Sequence, residues 1–291
     1  MPPARLEIAP YARQHRRLLL DLMNRSCWTH THIDWQSIPE WLADSGAAVW
    51  LALQDGELQG CLGLSRAVAG WRWLRLLGMG EGYRLGVILR ELWARAEAAC
   101  RDEAGAGIAV LALTNWQPAY LAELGFQYCD DLVVLQHIGS RLPQQPDSLA
   151  RARPVEAADM AELAQLDKLA FAPPWQIERA ELWRAYRACA VATVATIDSR
   201  IVGYQLCARH GEAAHLARLA VHPAHQGRGV ASLLLQGLLS DLLGRGITAI
   251  SVNTQASNRR SQQLYQRYGF LRNGKHYAVW QKTLVPATVD A

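Results

Sequence analysis

Apolar positions along the chain switch between two spacings, and the switching runs through the same order twice. A short extended stretch, RLEIAP in the first half and ARARPV in the second, leads into apolar residues that recur at steps of three and four. These are HRRLLLDLM and ADMAELAQLDKLAF, and that step is the period of an amphipathic helix. Next comes a predicted hairpin, VWLALQDGELQGCLGL or AVATVATIDSRIVGYQLCAR, with Asp-Gly or Asp-Ser as the turn residues. Each half then reads strand, glycine turn, helix, strand, short helix, and closes on LGFQYCDDLVVLQ or YGFLRNGKHYAVWQ. The predicted class is mixed α/β (α+β). Hairpins placed before the glycine turn argue against a doubly wound sheet.

Shifting the chain by 143 positions pairs Gly60 with Gly203, Arg75 with Arg218, Gly86 with Gly229 and Asn115 with Asn258. The identities are few, but they fall at matching places in the pattern, as a repeated unit requires. Between the copies lies GSRLPQQPDSLA, Gly139 to Ala150, polar and without period, which reads as a linker. The predicted domains are therefore residues 1–140 and 148–291.

At 291 residues and 51% hydrophobic content, two domains can each bury a core. The formal charge of +4 is scattered, with no run of like charges that would mark a nucleic-acid arm. Cysteines 27, 61, 100, 129, 189 and 207 form no C-x-x-C pair, so no zinc ribbon or redox motif is expected, only thiols in a reducing compartment. MPPARLEIAPYARQHRR lacks the apolar core of a signal peptide, and no apolar run is long enough to span a bilayer. The expectation is a cytoplasmic protein, monomer or homodimer, with no nucleic-acid or membrane partner. Most of the eleven tryptophans should anchor cores. In CWTHTHIDW, His30, His32 and Asp34 alternate, but no further metal ligands accompany them, so no metal is expected and a polar lining or loop is.

The chemistry concentrates in HLARLAVHPAHQGRGVASLLL. An apolar strand ends at Val221, His-Pro stops it, and a helix starts near Val230. Gly227 and Gly229 can take φ > 0, and the free amides and dipole of the helix's first turn attract anions. Arg228 adds a positive charge. Taken alone, the turn fits an anion cradle or an ordinary tight turn; it is neither a Walker loop nor a full G-x-G-x-x-G.

With its surroundings the turn resembles the acyl-CoA motif [RQ]-x-x-G-x-[GA] of the GNAT superfamily of N-acetyltransferases, here Gln226, Gly227, Arg228, Gly229, Val230 and Ala231. The segment VNTQASNRRSQQLYQRYGF is similar to that family's next strand and helix. The resemblance implies two tandem GNAT folds and an acetyltransferase that uses acetyl-CoA. The backbone of Leu219, Ala220 and Val221 would follow the pantetheine arm, and the amides from Gly227 to Ser232 would hold the pyrophosphate. Asn258 would contact the cofactor, and Tyr265 would protonate the departing thiolate. Where many relatives carry a glutamate base, the fourth-strand positions here hold His215, Ala217 and Arg218, and the fifth holds Asn253; His215 is the candidate base.

LAFAPPWQ (Leu169 to Gln176) resembles the A-F-x-x-P-W segment of RimI-like protein N-terminal acetyltransferases. The acceptor implied is an amine, either a small molecule or a protein N-terminus; the alternative is a non-catalytic acyl-CoA sensor or scaffold. The first half resembles a degenerate copy. Aligned on Gly86, it has Tyr83 for Gln226, Leu85 for Arg228 and Ile88 for Ala231. Leu121 falls at the Tyr265 position, with Tyr120 beside it, and Asn115 alone survives from the second motif. The first half is expected to lack normal acetyl-CoA chemistry.

Overall fold

A computed structural model describes residues 6–26, 28–44, 47–81, 85–101, 105–113, 118–139, 142–144 and 147–284. The first half runs β1 (Leu6–Pro10), α1 (Arg16–Arg25), β2 (Trp28–Thr31), α2 (Ile38–Leu42), β3 (Ala48–Gln54), β4 (Glu57–Leu64), β5 (Trp71–Met79), α3 (Leu85–Cys100), β6 (Gly107–Ala112), α4 (Pro118–Glu123) and β7 (Gln127–His137). The second runs β8 (Arg151–Pro154), α5 (Met160–Ala170), α6 (Arg179–Ala188), β9 (Cys189–Ile197), β10 (Arg200–His210), β11 (Ala213–Val221), α7 (Val230–Gly244), β12 (Ala249–Gln255), α8 (Arg259–Arg267) and β13 (Phe270–Thr283). Both expected hairpins form. Asp55 and Gly56 in one, Asp198 and Ser199 in the other, take positive φ, the backbone that two-residue turns between twisted strands require. Helices α2 and α6 and strand β2 have no counterpart in the predicted pattern.

The chain divides into two compact units, Met1–Cys129 with Ala278–Ala291, and Asp130–Tyr277. These bounds fall inside β7 and β13 rather than in the 139–150 segment, because the closing strand of each repeat pairs within the other unit. In the first unit, Ala278–Thr283 of β13 lies antiparallel to β6. In the second, β7 lies antiparallel to β12 over Leu132–Gln136.

The first unit orders its sheet β1-β3-β4-β5-β6-β13, with β2 also on β5. Alternation along β3 sends Trp50 and Ala52 to a core under α3, and Val49 and Leu51 to a core under α1 and α2. Lys282, at the end of β13, donates to Glu97 of α3 at 2.5 Å and to the Leu124 carbonyl at 2.7 Å.

The second unit orders its sheet β7-β12-β11-β10-β9-β8. One face packs on α7 and α8 through Leu216, Leu235, Leu239, Val252 and Phe270. The other receives α5 and α6, where Tyr204 meets Asp167. Among the described residues, no helix is long and apolar enough to cross a membrane.

Candidate active site

In the second unit β11 and β12 run parallel from Ala213/Ala249 to Leu216/Val252 and pair no further. Just beyond, the β10–β11 register skips a residue and leaves Ala217 as a bulge, which bends β11 away from β12. The edge of β11 from Leu219 to Val221 is thus open on the β12 side among the described residues. Its polarity follows from alternation. The His222 amide donates to the Val202 carbonyl at 2.9 Å. Ala220, opposite Tyr204, therefore turns its backbone groups to β10, while Leu219 and Val221 turn theirs to the opening. In agreement, the Val221 carbonyl accepts from Gln226 Nε2 at 3.2 Å.

The loop after β11 places α7 at this opening. Gly227 and Gly229 have φ of 81° and 75°, and no side chain caps the helix, so its first-turn amides face outward. The two glycines differ in what they avoid. A Cβ at Gly229 would lie 2.6 Å from the Asp147 carbonyl oxygen, whereas one at Gly227 would meet only Arg260 Nη2 at 3.5 Å. Gly203 lets the helix start press onto the sheet, since a Cβ there would lie 2.9 Å from Val230 Cγ1. Ala231 and Ser232 follow in the first turn, and Arg228 is exposed. Gln226 is a brace as well as a motif residue, for its Oε1 accepts from Arg260 Nη1 at 2.7 Å. Arg260 puts a second cation beside the glycine turn. The Asn-Arg-Arg that opens α8 was the sequence signal for it.

Helix α8 begins beside the glycine turn, where Arg260 meets Gln226. Asn258 is its N-cap, accepting from the Ser261 amide at 3.1 Å. Tyr265 is buried with its ring 5.7 Å from that of Phe270, and its hydroxyl makes no hydrogen bond among the described residues. Burial pushes its phenol well above the usual range, so the group is fully protonated at neutral pH. Tyr268 ties α8 to α7 by donating to the Ser232 carbonyl at 3.2 Å.

On the α5 face of the same strands, His215 Nδ1 lies 2.9 Å from Ser251 Oγ. Nearby is a buried cluster that sequence reasoning missed. Arg218 donates to both Asp167 oxygens, at 2.6 and 2.8 Å, and to the Trp175 carbonyl at 2.7 Å. Its guanidinium lies 3.8 Å from the Phe171 ring centre. Asp167 also accepts from the Tyr204 hydroxyl at 2.5 Å and from the Ile177 amide at 3.1 Å. The cluster fastens the 171–177 loop, with its cis Pro173-Pro174 bond, beside the opening.

Residues 160–270 match the model of the Acetyltransferase (GNAT) family. Ribosomal protein bS18-alanine N-acetyltransferase of Haemophilus ducreyi is 30% identical over 112 residues, 38% of this chain and 76% of that protein. The chain belongs to the GNAT acetyltransferase family. Two solved structures share the fold across nearly the whole chain. A GCN5-related N-acetyltransferase from Sphaerobacter thermophilus has a TM-score of 0.62 at 18% identity, covering 98% of each chain. A tandem GNAT protein from the clavulanic acid biosynthesis pathway has 0.64 at 17%, covering 97% of this chain and 100% of that one. This GNAT protein is thus an acyltransferase of tandem build, in a family that uses acetyl-CoA.

The first unit of this GNAT acetyltransferase differs at the equivalent place. Its β5 and β6 pair in parallel only over Trp71–Trp73, and the edge of β5 beyond is taken by β2, from Thr31/Leu76 to Trp28/Met79. The strand drawn from CWTHTHIDW therefore fills the opening that β11 leaves free in the second unit. Within it, Asp34 accepts from Arg75 at 2.7 Å, and His32 lies 3.7 Å from the same carboxylate. Burial lowers His30 to about 4 and His32 to about 3. The alignment on Gly86 is off by one. A Cβ at Gly60 would meet Ile88 Cγ2 at 3.2 Å and Leu92, as one at Gly203 meets Val230 and Leu234, so Ile88 corresponds to Val230 and fills the core. Leu121 is core and Tyr120 packs on Trp28. Gly82, Tyr83 and Asn115 lie outside the described residues, as does the side chain of Leu85.

Proposed function

We propose that the second unit transfers an acetyl group from acetyl-CoA to an amine at the opening between β11 and β12. The observation that carries this reading is the combination of three features on elements that share one core, which includes Tyr265 and against which Leu219 of β11 and Ala231 of α7 pack. The three are the open backbone edge at Leu219 and Val221, the uncapped α7 N-terminus after Gly227 and Gly229, and the unbonded hydroxyl of Tyr265.

The open edge suits the amide-bearing pantetheine arm, and the amides from Gly227 to Ser232, with Arg228 and Arg260, suit the pyrophosphate. Ala220 lends no backbone group to the opening, and Asn258 serves it by setting the start of α8. The outward N–H of Val221 is placed to stabilise negative charge on the thioester oxygen. As the amine nitrogen bonds to the carbonyl carbon, the C–S bond breaks with its electron pair passing to sulfur. Tyr265 gives its proton to that sulfur, and His215, supported by Ser251, takes the amine's proton. The acceptor is a protein N-terminus or a small amine. The alanine N-acetyltransferase named above supports the former.

Replacing Tyr265 with Phe is expected to lower kcat by about 100-fold or more, since a positioned acid contributes on that order, while acetyl-CoA affinity stays within twofold. Full kcat in Tyr265→Phe across pH would refute the assignment. Acetyl-CoA binding without turnover of any amine or peptide would favour a sensor instead.

A further inference from the structure

Asn253 is the first residue of β12 after the last parallel pair, Leu216/Val252, and so stands at the point where the two strands separate. Ile250 and Val252 face the α7 and α8 core, whereas Ser251 meets His215 on the opposite face. Asn253 shares that opposite face with them. Its carbonyl oxygen is buried and has no hydrogen-bond partner among the described residues. A buried amide oxygen left unmatched keeps its desolvation cost unless a donor arrives. Its neighbours in the sheet supply no unpaired charge. The β7 partners of Asn253 and Ser251 are Val134 and Gln136, β11 contributes His215, and the Arg218 guanidinium is engaged by Asp167 of α5.

We infer that Asn253 is the positioning residue for the acceptor amine: its carbonyl oxygen receives an N–H of the incoming nucleophile and aims the nitrogen lone pair at the thioester carbon. The inference rests on the acyl-transfer reading above and adds a substrate class to it. A carboxamide accepts a hydrogen bond but takes no proton, so it orients the amine without being able to deprotonate it, and an amine that arrives neutral is the one it can present for attack. The site therefore favours amines that are neutral near pH 7. On ordinary pKa values an α-amine is neutral about 300-fold more often than a lysine ε-amine at that pH. The class is α-amines and other weakly basic amines. In the transfer step the neutral nitrogen forms the N–C bond, sulfur leaves with the C–S pair and the Tyr265 proton, and the proton lost by nitrogen passes to His215 or water.

The test uses the full chain, acetyl-CoA, and an alanyl tetrapeptide with a free α-amine, with the α-blocked peptide bearing one lysine as comparison. CoA thiol release gives acceptor kcat/KM, and calorimetry gives acetyl-CoA Kd. Asn253→Leu is expected to lose about 10- to 100-fold in kcat/KM for the α-amine with acetyl-CoA Kd within twofold. Asn253→Asp is expected to restore most of that rate and to move the acid limb of the pH profile to lower pH, because a carboxylate attracts the ammonium form and can take its proton. An Asn253→Leu enzyme with unchanged acceptor kcat/KM would overturn the inference. So would equal losses in acetyl-CoA affinity, or an Asn253→Asp profile that coincides with the wild type. Wild-type protein that binds acetyl-CoA but acetylates neither peptide, or that fails to bind it, overturns the acyl-transfer reading itself and this inference with it.

Discussion

Replacing Arg218 with methionine keeps most of the side chain's length and removes its charge, which isolates the ion pair from packing. Asp167 is fully buried and receives hydrogen bonds from Arg218 Nε at 2.6 Å, Arg218 Nη2 at 2.8 Å, the Tyr204 hydroxyl at 2.5 Å and the Ile177 amide at 3.1 Å. The substitution deletes the only cation of that set and leaves a carboxylate in the core with two neutral donors. Stranding a buried charge in this way costs about 3–5 kcal/mol. For a unit of this size that corresponds to a fall in Tm of roughly 6–20 °C. Removing the whole cluster, as Arg218→Met with Asp167→Leu and Tyr204→Phe, leaves no charge or hydroxyl unmatched and should restore the second unit to within about 1–2 kcal/mol of wild type. Because the chain holds two compact units, the cleanest assay is native-state hydrogen exchange read at amides of α5, β10 and β11, with the Ile177 amide as a local reporter. A cost below 1 kcal/mol for Arg218→Met, or a triple variant as unstable as the single, would refute the reasoning.

The first unit should lose stability as pH falls. His30 and His32 have folded pKa values of about 4 and about 3 against about 6.5 unfolded, so the unfolded chain binds more protons below pH 6.5 and each histidine costs about 1.4 kcal/mol per pH unit down to its folded value; an unfolding midpoint unchanged between pH 7 and 5 would contradict this. Gly229→Ala should weaken acetyl-CoA binding more than Gly227→Ala, because both force alanine to positive φ but only the former drives a methyl to 2.6 Å from the Asp147 oxygen; Kd values in the reverse order would count against the geometry. Calorimetric titration with acetyl-CoA should saturate at one equivalent per chain, since β2 occupies the edge of β5; two equivalents would show that β2 yields.

The glycine turn was legible because its geometry is local: glycines at positive φ, a His-Pro stop and an apolar helix follow one another along the chain. The helix that carries Tyr265 was legible for the same reason, from its Asn258 cap and its apolar spacing. The Arg218–Asp167 pair was not, since its partners lie on a strand and a helix 51 positions apart, and a polar residue on the buried face of one element does not reveal its partner on another. The filled opening of the first unit was also invisible. Trp28–Thr31 is too short to show a period, and what makes it a strand is the free edge of β5 beside it. Ile88 was misplaced because Gly86 drew the alignment, while the register of α3 is set by the gap over Gly60.

The closing strands impose an order on synthesis. When β6, Gly107–Ala112 with sequence GIAVLA, has paired with β5, its outer edge must wait for Ala278–Thr283. At ribosomal speeds of about 5–20 residues per second that wait lasts on the order of 10–30 s. During it an apolar edge with unpaired amides is a template for any strand that meets it, including the same segment of another nascent chain. The protein's vulnerability to misassembly is therefore greatest before translation ends, and slower elongation through the second half should raise the aggregated fraction while leaving the stability of finished molecules unchanged.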